Sequence, residues 1–164
     1  MLSVTGDNYS TQVINQSAAG SASYTAASWG NLRLLVVGVI AITSDPTSIT
    51  YGGAAMTKIG AVSGPGTTLV VRTSLWVLQN PKNGSNTLTV TWSGTWSARL
   101  VIRSYFNVHA YNCLSAVQAY SGDTLTTTLT FPESQNQGYS FHVGGFGVNA
   151  TRTIGAGEYT LFNN

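Results

Sequence analysis

Charge is what this chain has least of. Lys, Arg, Asp and Glu make up 7% of its 164 residues, against about a quarter in ordinary soluble domains. The seven basic residues are scattered, with only Arg99 and Arg103 close together. Neutralising a phosphate backbone takes a dense basic stripe, so no nucleic-acid partner is expected. Acid–base groups are equally scarce: Asp7, Asp45, Asp123, Glu133 and Glu158, with His109 and His142 the only imidazoles. Hydrolytic catalysis needs a nucleophile, a base and an orienting group, and a glycosidase needs two carboxylates across a cleft. No Gly-x-Ser-x-Gly elbow is present, and the glycines at 144–147 and 155–157 lack the Gly-Lys-Ser/Thr of a phosphate loop. His109, His142 and Asp123 have no zinc-ligand spacing, and the segment 121–124 offers calcium a single carboxylate. The chain reads as non-enzymatic, with no catalytic residue, cofactor or metal.

A single cysteine, Cys113, excludes an intramolecular disulfide and a cysteine-based metal cluster. The most apolar run, Leu34 to Ile42, is too short to cross a bilayer as a helix, and no membrane partner is expected. The opening MLSVTGDNYSTQ shows neither the basic nor the apolar region of a signal peptide. Low charge with 43% hydrophobic residues is the reverse of the disordered composition. It describes a surface clad in hydroxyls and amides.

What the chain does have is β-branched and aromatic residues in short segments separated by Gly, Pro, Asn and Asp, the pattern of a sandwich or barrel. No stretch carries helical periodicity. Strands are predicted near Gln12–Asn15 and Ala22–Ala26, then at Leu32–Thr43, which is apolar almost throughout and reads as a central strand buried on both faces. Ser48–Tyr51 leads into a Gly52-Gly53 turn, and Ala55–Val62 closes through Gly64-Pro65-Gly66. Thr68–Leu78 places Val70, Arg72, Ser74, Trp76 and Leu78 on one face and Leu69, Val71, Thr73, Leu75 and Val77 on the other. Asn80-Pro81-Lys82-Asn83-Gly84 is a turn by its chemistry, proline setting φ and Asn-Gly accepting left-handed angles. Thr87–Trp92 alternates Leu88, Val90 and Trp92 inward, a turn follows at Ser93–Trp96, and Ala98–Phe106 is the next strand. Leu125–Phe131, Tyr139–Val148 and Tyr159–Phe162 complete the set. The expected fold is an all-β, two-sheet antiparallel sandwich of about 8–10 strands. It forms one domain over residues 13–164, preceded by an arm over residues 1–12.

The order LLVVGV (Leu34–Val39), SITYGGAAMTKIG (Ser48–Gly60) and SLWVLQNPKNGSNTLTVTWSG (Ser74–Gly94) resembles a family of jelly-roll-like β-sandwich domains. That family occurs in phage virion proteins and large secreted bacterial proteins. IGAGEYTLF (Ile154–Phe162) is similar to its closing segment. The resemblance implies a fold and hands over no catalytic residue. Such domains continue with a further alternating strand, whereas this sequence stops at Asn163-Asn164. Either the edge so exposed is covered by a neighbouring subunit, as in a homo-oligomer such as a trimer, or the fold closes one strand earlier.

Two functional expectations follow. The first is a virion structural protein, a capsid decoration or accessory protein of a bacteriophage-like particle. It would sit on the particle surface and bind the major capsid or another virion protein. The alternative is a carbohydrate-binding or adhesive module. Trp92, Trp96, Tyr105 and Phe106 surround one hairpin. Trp76 and Trp92 read as core, leaving Trp96 in the Ser93–Trp96 turn as the ring most open to a partner or glycan. Tyr105, Asn83 and Gly84 complete the candidate contact residues.

Overall fold

A computed structural model describes residues 5–26, 32–42, 44–63 and 71–108. The predicted strands at Leu125–Phe131, Tyr139–Val148 and Tyr159–Phe162, the open C-terminal edge, Cys113 and both histidines lie outside the described residues. The described chain forms β1 (Thr5–Ala26), β2 (Leu34–Ile42), β3 (Ser48–Tyr51), β4 (Ala54–Ala55), β5 (Thr57–Ser63), β6 (Val71–Gln79) and β7 (Gly84–Phe106). All seven belong to one antiparallel, nearly closed, barrel-like sheet in the order β4-β3-β7-β2-β6-β5, with β1 also on β7.

The organising element is β7, 23 residues long. On one side β1 follows it from Thr5 opposite Phe106 to Ala26 opposite Gly84. On the other, its first part pairs with β3 and its second with β2. Two departures from expectation meet here. Ser93–Trp96 is a bend inside one strand rather than a turn between two. Residues 5–12, expected as a free arm, are the first part of β1 and lie against β7, because a strand facing β7 along its whole length satisfies the backbone groups of both.

The β1–β7 ribbon turns a corner at its middle. The register slips between Ile14 and Ser17 and again between Ser17 and Ala19, opposite Trp96. Such bulges add local twist and let a strand pass from one part of a sheet to another. Gly20 stands at this corner because a Cβ there would collide with the Ile14 side chain.

Folding over at the corner encloses the main core: Leu35, Val37, Val39 and Ala41 of β2, Ile49 and Tyr51 of β3, and Leu88, Val90, Trp92, Leu100 and Ile102 of β7. Trp76 and Trp92 are both buried in it, as the alternation predicted. β2 is buried on both faces, since Leu34 and Val36 enter a second cluster with Val77 and Tyr105. Burying side chains of this size contributes about 1.5–3 kcal/mol each relative to exposure.

Two tyrosines fasten the ends of the folded ribbon together. Tyr24 Oη lies 2.6 Å from the Asn8 carbonyl, to which it donates, and 2.8 Å from Ser104 Oγ. Asn8 Nδ2 donates to the Thr25 carbonyl at 2.8 Å, so the start and end of β1 are joined directly. Tyr51, fully buried, packs edge-on against Tyr24 with ring centroids 6.3 Å apart. Its hydroxyl lies 3.1 Å from the Tyr24 carbonyl and 3.0 Å from the Gly84 carbonyl, and accepts the Ala26 amide at 3.3 Å. Tyr51→Phe would leave these buried groups short of a partner, at a cost of about 1–3 kcal/mol. The expected outcome is a lower urea midpoint with an unchanged m-value.

Candidate functional site

The Asn80–Gly84 turn stands at the rim where β6 ends and β7 begins. Asn80 and Gly84 both take left-handed angles, φ 49 and φ 76. Pro81 is buried beneath the turn. Asn86 ties the turn from inside: its Nδ2 lies 3.0 Å from the Asn83 carbonyl and 3.1 Å from the Gly84 carbonyl. The Asn80 amide donates to the Arg33 carbonyl at 2.8 Å, and the Val108 amide to the Leu32 carbonyl at 2.8 Å. These bonds gather the turn, the entry to β2 and the exit from β7 at one rim.

Two more non-glycine residues at this rim take left-handed angles, Leu32 at φ 52 and Asn107 at φ 60. A bulky residue there is unusual, and such strain concentrates at contact sites. Leu32 is also 44% exposed. Lys82 and Asn83 are exposed beside it in sequence-distant but hydrogen-bonded segments. The rim therefore offers amides, one ammonium group and one apolar side chain, a surface suited to packing and hydrogen bonding.

The four predicted contact residues do not come together. Asn83 and Gly84 are on the rim. Trp96 is at the ribbon corner opposite Ser17, partly buried against the main core, with its indole Nε1 buried and unpartnered. That position makes it a wedge in the bend. Tyr105, a candidate contact residue by sequence, is 2% exposed. Odd-numbered positions in the second part of β7 face the Leu34–Val36–Val77 cluster, and Tyr105 is opposite Leu34. The Arg103 guanidinium lies 5.5 Å from its ring centroid.

Sequence reasoning missed three features. Tyr9 and Val13, 41% and 58% exposed, project from the outer face of β1. Extending the two-residue period outward from buried Ile14 finds Val13. Leu32 gave no signal, because nothing in its neighbours marks a left-handed leucine. The third is an ionic clamp, in which Asp45, in the β2–β3 connection, is 3.5 Å from both Lys58 of β5 and Arg72 of β6. Lys58 also lies 5.8 Å from the Trp76 ring centroid. With Asp45 largely buried and bonded to two strands, the clamp fixes a loop rather than presenting a reactive carboxylate. Among the described residues no His, Cys, Asp and Glu side chains cluster as metal ligands.

Comparison with protein-family models, with curated proteins and with solved structures finds no match to this chain.

Two outcomes test this geometry. A methyl group at Gly84 has open space, so Gly84→Ala suffers only from the left-handed angle, about 1–2 kcal/mol. A drop of that size in chemical denaturation would show that the turn is held as described. Burial holds the Tyr105 phenol above its ordinary value, an effect the Arg103 charge partly offsets. The folded chain therefore keeps this proton at a pH where the unfolded chain releases it. The resulting stability is complete below about pH 10 and is lost as pH rises through the folded value. Melting temperatures measured up the alkaline range should fall less steeply for Tyr105→Phe than for the parent chain.

Proposed function

We propose that this chain is a non-enzymatic structural protein of a virion, a capsid decoration or accessory protein that binds and stabilises neighbouring shell subunits. The observation that carries the reading is β1. It is 22 residues long and hydrogen-bonded along one side to β7, and no second strand partner occurs for it among the described residues. Asp7 is its only charged residue, and it contains no Lys, Arg or Pro. Edge strands that must stay solitary carry such residues as protection. A long edge without them suits a strand that is completed by a neighbour. The resemblance of Leu34–Val39, Ser48–Gly60 and Ser74–Gly94 to jelly-roll-like domains of phage particles supplies the setting. In that reading the barrel-like sheet is one part of a two-sheet jelly-roll-like sandwich, and the homo-oligomer is a trimer.

The mechanism would be mechanical. Described polar side chains such as Tyr24, Tyr51, Asn86 and Asp45 are bonded within the fold, leaving a stiff body that contributes surface. Binding only the assembled shell stabilises it by mass action, and symmetry repeats each contact. The glycan-binding alternative draws less support, because Tyr105 is buried and Trp96 is wedged into the ribbon corner.

Light scattering of the purified protein, alone and with assembled particles from its source, tests the proposal. Saturation of particles at a fixed stoichiometry is the expected result. A protein that never binds particles yet shifts on a glycan array would replace this reading with the adhesive one.

A further inference from the structure

The two halves of the sheet have different outer faces. Around β3 and the first part of β7 the outward positions are hydroxyls: Ser21, Ser23 and Thr25 of β1, Ser48 and Thr50 of β3, and Ser85 and Thr87 of β7. Ser23 Oγ and Ser85 Oγ are 3.0 Å apart across this face. Around β2, β6 and the second part of β7 the positions facing away from the main core are mostly aliphatic or aromatic, with Thr73, Arg99 and Arg103 among them. Leu34, Val36, Val77 and Tyr105 are buried there, and Ile59, Leu75 and Val108 pack against them. Val101 extends the face toward β1 and Ile40 extends it along β2, and both are half-buried. A sheet facing water on one side alternates apolar and polar residues, and a sheet covered on both sides does not. β2 belongs to the second kind.

We propose that the occupant of this outer face is the chain's own C-terminal segment, residues 109–164. The last described residue fixes where that segment starts. The Val108 amide is bonded to the Leu32 carbonyl, and its side chain lies on the aliphatic cluster. Residues 109–164 therefore set out from the face itself. At roughly 3.3 Å per extended residue, they have ample length to cross three strands that are each about 4.8 Å from the next. Their sequence suits the task. Leu125, Leu129, Phe131, Phe141 and Val143 supply apolar groups, while Asp123, Glu133, Arg152 and Glu158 are their only Lys, Arg, Asp or Glu residues. The hydroxyl face has no comparable apolar surface to offer.

Site-directed photocrosslinking of the full chain tests this. Benzoylphenylalanine is placed at Ile59, at Thr73 on the same face, or at Thr87 on the hydroxyl face, and copies with natural and heavy nitrogen are mixed before irradiation. Trypsin cleavage at Arg103 and Arg152 yields peptides 104–152 and 153–164. The expected result is crosslinks of unmixed isotope mass from Ile59 and Thr73 whose fragment spectra place the joined residue within 109–164, with none from Thr87. Tyr105 and Val108 already neighbour Ile59, so a join within 104–108 does not count as reaching the segment. The second outer-face position guards against a local packing defect at the first. Crosslinks of mixed mass would assign the face to a second copy of the chain, and crosslinks that never reach residues 109–164 would remove the segment from it. Either outcome overturns the proposal.

Discussion

The fold depends on closing a long ribbon onto itself, and the closure is made by hydroxyl groups. Tyr24 and Tyr51 bring the two ends of β1 and β7 together around hydrogen bonds to Asn8, Ser104, Ala26 and Gly84. A sheet bent at one corner and left open opposite it would expose the main core along a seam. Tyrosine suits the seam because its ring fills apolar volume while its hydroxyl satisfies backbone groups at the closing edge. Such a network is worth most when complete, since in a low-dielectric interior an unpaired member costs more than a paired one contributes.

Much of this was legible in the sequence, and the reasons differ by element. β2 was readable because both of its faces are apolar, so its composition alone identifies a central strand. The turns at Gly52-Gly53 and Asn80–Gly84 were readable because the required left-handed angles select glycine and asparagine. The inward faces of β6 and β7 followed from a two-residue period, and Trp76 and Trp92 fell on them. The continuity of β1 and of β7 was not readable. Ser93-Gly94-Thr95-Trp96 has the composition of a turn, and only pairing with the bulged segment around Ser17 keeps it extended. The same long-range pairing turned an expected arm into a strand. The burial of Tyr105 was not readable because alternation on β7 says which residues share a face, not whether both faces are covered. Of the candidate contact surface, Asn83 and Gly84 could be located from turn chemistry, while Leu32 acquires its exposure and strain from its neighbours in space.

Low charge also takes on a structural meaning. Arg72 and Lys58, two of the few cations, are drawn to Asp45 at the foot of the β5–β6 pair, and Arg103 lies against an aromatic ring. The polar surface of the described residues is then made mostly of hydroxyls and amides, which hydrate well and can also be dehydrated against a neighbour at small cost. A charged coat would resist such contact. The outer face around β3 is built in this way, whereas the face around β2 is aliphatic and half-buried to buried.

The pairing of β1 with β7 also dictates when the protein can acquire its shape during synthesis. Thr5 finds its partner only at Phe106. At ~5–20 residues per second, a β1 complete at Ala26 waits roughly 4–16 seconds before its partner has been made through Phe106. Contacts so distant along the chain also slow folding once the chain is complete. Through that interval β1 is a strand without a sheet, exposed to every other nascent copy. Its serines, threonines and glycines, with few large apolar residues among them, keep it from being a sticky segment while it waits. The composition that looks like weak strand material is what lets the first-made strand of the described chain survive until its partner, made last, arrives.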